Sequence, residues 1–246
     1  MHLGTRSVAM NLSHYVESMS HFGMGPTAYR AAYRSLNRVT RVVLWKCLVL
    51  TPTDLDFGYV DAARRGGAKM LGPAELRPYV ADPETLLTHP FLDAAAERQD
   101  RCVAFFEADR LISYGWYSSR PMSLVELDPS LVLHFDSSWI YSYNGFTVPR
   151  ARGRRLRAAG IAYGLMACVR DGSKGNVAYV DSSNFASLRS SHRVGYRIAG
   201  YIAVLKLGLR YVCARSYGCR PYGLAVMRVT PEERESIRAA AAILEG

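Results

Sequence analysis

The chain has 246 residues, 49% hydrophobic and 21% charged, with a formal net charge of +10. That composition excludes a disordered chain and allows one substantial core, or one domain with an added lobe. No run approaches the roughly 20 apolar residues of a membrane span. Residues 1–22 interrupt their apolar residues with Arg6, Asn11, His14, Glu17 and His21, unlike a signal peptide, so a cytoplasmic protein is expected.

The positive charge suits a phosphate-bearing partner: nucleic acid, an anionic membrane, or a ligand such as coenzyme A or a carrier protein's phosphopantetheine arm. An ordinary basic surface accounts for it equally well. The five cysteines, Cys47, Cys102, Cys168, Cys213 and Cys219, are odd in number and form no CxxC pair, so neither a metal site nor a disulfide framework is expected. Only Cys219, between Gly218 and Arg220, stands in a polar context.

In chain order, residues 1–41 read as helical. Pro26 and Thr27 open a helix with Tyr29, Tyr33, Leu36 and Val39 on one face and Arg30, Arg34 and Arg38 on another. VVLWKCLVL, residues 42–50, is a strand stopped by Thr51-Pro52, and residues 54–100 read as short helices and loops. RCVAFFE (101–107) and LISYGWYS (111–118) form a hairpin through Ala108-Asp109-Arg110. Residues 138–148 make a further strand, in which Gly145 points to a bulge or a close approach. Then come a helix over 152–171 stopped by Gly172, a strand over 177–181, and a helix over 184–192 closed by Gly195. Residues 197–212 make one strand, or two with a turn, and 231–244 a last helix carrying an alanine run at 239–242. Hairpin, strand, helix, strand, helix, strand imply a mixed sheet with helices against it.

The informative unit is the 138–148 strand, the arginine-rich loop PRARGRRL and the long helix. A strand running into backbone amides at a helix start makes an anion site, and Arg152, Arg154 and Arg155 add charge-assisted bonds to phosphate. A solvated basic helix start reads the same residues without a ligand.

Phe146-Thr147-Val148-Pro149, Arg152-Gly153-Arg154-Arg155-Leu156-Arg157, the 177–181 strand, Asn184, Ser187 and Gly195-Tyr196 stand in an order and spacing that resemble the GNAT superfamily of acyltransferases. The resemblance covers about residues 100–212. It implies an α+β fold, a mixed and mainly antiparallel twisted sheet flanked by helices. The core would span 101–246 and carry a helical N-terminal extension, 1–100, with one strand.

It also implies acyl-CoA as co-substrate, held by Phe146, Thr147, Val148, Arg152, Gly153, Arg154, Arg155, Leu156, Asn184 and Ser187. Asn184 would orient the pantetheine arm or cap the second helix. An amine would attack the thioester directly, with the oxyanion held by a backbone N–H near Phe146 to Val148. Asp181 is the first candidate base, followed by Asp136 and Tyr143.

Two departures stand out. Arg155 and Arg157 replace the loop glycines of the family's Arg/Gln-x-x-Gly-x-Gly/Ala pattern. Where many relatives have a general-acid tyrosine, seven residues past the asparagine, this chain has Ser191 with His192 beside it. His192 has the suitable pKa of the two. Tyr114, Trp116, Tyr117, Trp139, Tyr141 and Tyr143 line an acceptor or acyl pocket, or pack the core.

The leading expectation is an N-acyltransferase that moves an acetyl or longer group from acyl-CoA, or a carrier-protein thioester, to an amine of a small molecule, amino acid or peptide. Two alternatives stay open. One is aminoacyl-tRNA as acceptor, as in GNAT-type toxins. The other is a catalytically degenerate fold that binds an acyl-CoA or a protein partner.

Overall fold

The computed structural model of the protein describes residues 23–230 and Glu232. The expected C-terminal helix, its alanine run and residues 1–22 therefore lie outside the described residues. The helices are α1 (Met24–Val39), α2 (Gly58–Arg65), α3 (Pro73–Leu76), α4 (His89–Glu97), α5 (Leu156–Arg170) and α6 (Phe185–Val194). The strands are β1 (Val42–Leu50), β2 (Lys69–Leu71), β3 (Arg101–Glu107), β4 (Arg110–Ser118), β5 (Met122–Ser123), β6 (Leu131–His134), β7 (Ile140–Thr147), β8 (Asn176–Asp181), β9 (Arg197–Leu207), β10 (Arg210–Arg215) and β11 (Ala225–Arg228). Among the described residues no helix is long and apolar enough to cross a membrane.

Eight strands form one sheet in the order β10-β9-β1-β8-β7-β4-β3-β2, and β11-β6-β5 form a second. Every neighbouring pair in the large sheet is antiparallel except β7 with β8. The expected α+β architecture is present, and β1, expected as the one strand of the N-terminal extension, lies inside the sheet between β9 and β8. Cys47, Leu48, Val49 and Leu50 are buried in succession because both faces of β1 are covered, which is why its sequence is apolar without alternation. β2 adds a second strand from the first hundred residues, where one was expected. The boundary drawn at residue 100 thus cuts through one sheet.

One face packs against α2, α5 and α6 through Leu48, Leu50, Ile161, Leu165 and Val194. The other packs Trp45, Val49, Tyr141 and Ile202 against Leu131, Leu133 and Val226 of the small sheet. α4 covers the β3–β4 end with Leu92 and Ala95. α5 lies close to the sheet because its buried side is built from small residues. A Cβ on Gly164 would meet the Tyr117 ring at 2.3 Å, and the Tyr117 hydroxyl donates to the Gly160 carbonyl at 3.0 Å.

Two expected elements shift in detail. The long helix starts at Leu156, after a short turn over Pro149–Ala151 and a loop through Arg155, because Gly153 and Arg155 take positive φ there. Residues 197–215 form two strands turning at Gly208, whose φ of +59° meets the demand of a tight reversal.

Gly195 ends α6 with φ +112°, and a Cβ there would lie 2.0 Å from the Asp54 carbonyl oxygen. Gly195→Ala is expected to cost about 2 kcal/mol or more, from positive-φ strain and displaced backbone. Urea unfolding of the two proteins measures it.

Candidate active site

β7 and β8 share only two residue pairs, Ile140 with Asn176 and Tyr141 with Val177. Beyond them the strands part, and from Ser142 onward the β8-facing edge of β7 has no ladder partner. On its other edge β7 pairs with β4, and there Asn144 and Gly145 together oppose Gly115, between Trp116–Tyr143 and Tyr114–Phe146. This is the bulge that Gly145 led one to expect, with Asn144 at φ +39°. The parted strands and α6 enclose a cleft of about 210 Å³ lined by Ser142, Gly145, Arg157, Ser187, Ser190, Ser191 and Tyr196, among others.

The loop between β7 and α5 borders a second cavity, about 420 Å³, with Thr147, Arg152, Gly153, Arg155, Leu156, Ser190 and Arg193 in its lining and no carboxylate. No side chain caps the start of α5, so its first N–H groups are left for a ligand or water. Arg155 holds the left-handed conformation, φ +61°, that the glycine of the resembled loop adopts freely. Not every arginine of the cluster faces this cavity. Arg154 pairs with Glu107 at 2.8 Å, and Arg150 spans Glu84 and Glu107 at 3.3 Å each. Arg154, expected at phosphate, is committed to the β3–β4 turn instead.

On the opposite face of the sheet lies a groove of about 800 Å³. Its floor is a stack of rings across three strands: Tyr143 on Tyr141 at 5.7 Å, Tyr141 on Tyr179 at 5.8 Å, and Tyr179 on Trp45 at 4.0 Å. Groove and cleft share Ser142, Tyr143, Asn144 and Tyr179, so they meet where the strands part. Of the aromatic residues expected at a pocket, Tyr141 and Tyr143 line this one. Tyr114, Trp116, Tyr117 and Trp139 are buried in the core.

Tyr143 is backed by groups that carry no sequence motif. Its hydroxyl donates to Asp100 Oδ2 at 2.5 Å and accepts from Arg98 at 3.1 Å, while Arg98 pairs with Asp100 at 2.8 Å. Burial, outweighing the Arg98 charge, pushes the Asp100 carboxyl above its ordinary range. Burial, then the Asp100 charge, pushes the Tyr143 hydroxyl up as well. Tyr143 therefore keeps its proton, which is committed to Asp100, and does not suit the role of base first considered for it.

The remaining expected residues divide. Asp181 lines the groove, but its Oδ1 accepts from Ser183 and its Oδ2 from the Tyr33 hydroxyl at 3.1 Å. Asp136 closes an exposed turn with Ser138, away from both cavities. Ser187 and Ser191 face the cleft, whereas His192 is exposed and lines no cavity: one helical residue turns it about 100° from Ser191. The Asn184 side chain accepts from Ser187 N at 3.1 Å, so it caps α6. Phe146 packs on Tyr114, and the Val148 N–H is donated to the Ile112 carbonyl at 3.0 Å, which removes that amide from the expected oxyanion donors. Cys219 is buried, its thiol donating to the Tyr201 carbonyl at 3.5 Å.

No protein-family model and no curated protein matches the chain. Among solved structures it is similar to a GNAT-family acetyltransferase from Novosphingobium aromaticivorans, with 13% identity, coverage of 77% of this chain and 66% of that one, and a TM-score of 0.46. It is also similar to one from Colwellia psychrerythraea, with 13% identity, 71% and 60% coverage, and a TM-score of 0.45. A third is a GCN5-related N-acetyltransferase-like protein from Streptococcus suis, with 14% identity, 70% and 66% coverage, and a TM-score of 0.43. The chain spans about two thirds or less of the length of each.

Removing Asp100 leaves Arg98 and Tyr143 facing an unpaired site. Asp100→Ala is expected to destabilise the protein by about 3 kcal/mol and Tyr143→Phe by about 2 kcal/mol. Denaturant unfolding of both variants checks the order.

Proposed function

We propose that the protein is an N-acyltransferase that transfers an acyl group from acyl-CoA, or from a carrier-protein thioester, to an amine. The observation that supports this best is the continuity of three features: a cationic loop at the start of α5, a cleft between parted parallel strands, and an aromatic groove beyond it. A pantetheine thioester is a thin polar arm with phosphate at one end and a reactive carbonyl at the other. Arg152, Arg155 and the first amides of α5 suit the phosphate. The unpaired edge of β7 suits the amides of the arm, which need hydrogen-bond partners when they leave water. Thr147 and Leu156 would border the phosphate end, and Ser187 the arm.

In the reaction the amine nitrogen forms a bond to the thioester carbon, the carbonyl becomes an oxyanion, and the C–S bond then breaks as the thiolate departs. Backbone N–H groups at the Asn144–Gly145 bulge, or at Phe146 and Thr147, would hold the oxyanion. The leaving thiolate would take its proton from water at the junction of cleft and groove, because the Tyr143 hydroxyl there is engaged with Asp100. Ser191 would hydrogen-bond the sulfur. Asp181 at the groove rim would receive the proton of the incoming amine through water. The aromatic floor of the groove favours an acceptor whose amine is carried on an apolar or aromatic body, within the small-molecule or peptide class.

Titration with acetyl-CoA tests the donor site. Arg152→Ala and Gly153→Val are each expected to weaken binding about tenfold, as the loss of one charge-assisted contact or one loop conformation does, Arg152→Ala with its unfolding midpoint unchanged and Gly153→Val with a lower one, since Gly153 holds φ +81°. Unchanged affinity in both variants sinks the phosphate site. Binding without turnover across a broad amine panel would leave a binding module in place of the enzyme.

A further inference from the structure

We infer that the donor cleft is built for an acyl group that itself carries a carboxylate, a short dicarboxylic acyl thioester, and that Arg157 reads its charge. The inference rests on the acyl-CoA reading above and specifies the donor within it.

Arg157 belongs to the first turn of α5, but its side chain leaves the phosphate loop and folds over the bulge. A Cβ at Gly145 would lie 1.8 Å from its Nε, and one at Gly115 would lie 2.0 Å from its Nη1. Two glycines on neighbouring strands thus form a flat seat that any larger residue would fill. The guanidinium is held in place at the point where β7 and β8 part.

It is held there without an ion-pair partner. Arg77, Arg98, Arg101, Arg150, Arg154 and Arg197 all pair with carboxylates, whereas among the described residues no carboxylate pairs with Arg157. It donates a long hydrogen bond, 3.5 Å, to Ser142 Oγ and lies beside the Tyr117 hydroxyl. The Tyr196 hydroxyl lines the same cleft, is 3% exposed, and has no group among the described residues within hydrogen-bond geometry. Ser142 and the buried amide of Asn176 are its polar neighbours. The cleft therefore offers a cation that no carboxylate pairs and a buried hydroxyl without a hydrogen-bond partner among the described residues.

A ligand that enters must displace the water on these groups. A methyl or alkyl acyl group would cover the guanidinium and give nothing back, and an unpaired buried charge is costly. A carboxylate would take two parallel N–H bonds from the guanidinium and a third from Tyr196. A site built around such donors discriminates strongly against analogues that lack the acceptor. The cleft of about 210 Å³ suits a short chain, not a fatty one. An amino-acid acceptor would bring a carboxylate too, but Arg157 borders the cleft and the loop cavity and does not line the aromatic groove.

Calorimetric titration of the whole chain with succinyl-CoA, acetyl-CoA and free CoA, each without acceptor, tests this. Wild type is expected to bind succinyl-CoA at least about tenfold more tightly than acetyl-CoA, with Arg157→Gln binding the two alike. Equal affinities in wild type overturn the charge preference and leave the acyl-CoA reading standing, and no binding by any of the three overturns both. A preference retained in Arg157→Gln, or in Arg157→Met should the first variant not fold, takes the role from Arg157. In turnover with acetyl-CoA, a KM that rises in Arg157→Gln for an amino acid but not for its decarboxylated amine would move the carboxylate to the acceptor and overturn the donor assignment.

Discussion

β7 and β8 can be parallel neighbours for only two residue pairs because each is held on its far edge by a different partner. β4 grips β7 through a bulged antiparallel ladder, and β1 grips β8 through six pairs from Trp45–Asp181 to Leu50–Asn176. Sheet twist then separates the two inner edges, and no strand among the described residues bridges them. Every cavity at the candidate site follows from that separation. α5 must cross over to join the two strands, which brings its amide-bearing start beside the mouth of the cleft. α6 follows β8 directly, which aims Ser187, Ser190 and Ser191 at the opposite wall.

Charge is sorted along the same line. Arg150 and Arg154 are spent on carboxylates at the surface, where such pairs contribute little and mainly fix loop positions. Those lining the loop cavity, Arg152, Arg155, Arg157 and Arg193, pair with no acid among the described residues. Among the described residues the one acid buried beside the site, Asp100, is neutralised by Arg98 and covered by Tyr143. The loop side is thus cationic and the groove side aromatic, a division that in the proposed reaction would orient a polar phosphorylated arm and an apolar amine toward each other.

Much of this was legible in the sequence because it depends on local signals. The apolar run of 42–50, the hairpin before Arg110, Gly145 in its strand and Gly195 behind its helix each mark a backbone requirement that acts within a few residues. The place of β1 between β8 and β9 was not legible, since an apolar strand has no sequence mark for its neighbours. The Arg98–Asp100–Tyr143 cluster was hidden for a related reason. Arg98 and Asp100 sit in a helix-to-strand junction, and their partner is 43 residues beyond Asp100. His192 misled because its pKa suited the chemistry while its helical phase did not, and a count from Ser187 and Ser191 would have turned it outward.

The two arginines that replace the loop glycines look alike in sequence and differ in physical meaning. At Arg155 the glycine would serve backbone conformation. The arginine adopts a left-handed geometry that glycine takes freely, at a cost of roughly 1–2 kcal/mol, and adds a cation beside the loop cavity. At Arg157 the small residue would serve space. The arginine fills that space and is accommodated by two glycines elsewhere, Gly115 and Gly145, on strands that the loop pattern does not include. A sequence decaying from an ancestral activity would lose the glycines of its loop without gaining a fitted seat on two other strands. On the acyltransferase reading proposed above, the seat favours a site of altered specificity over one whose function has lapsed.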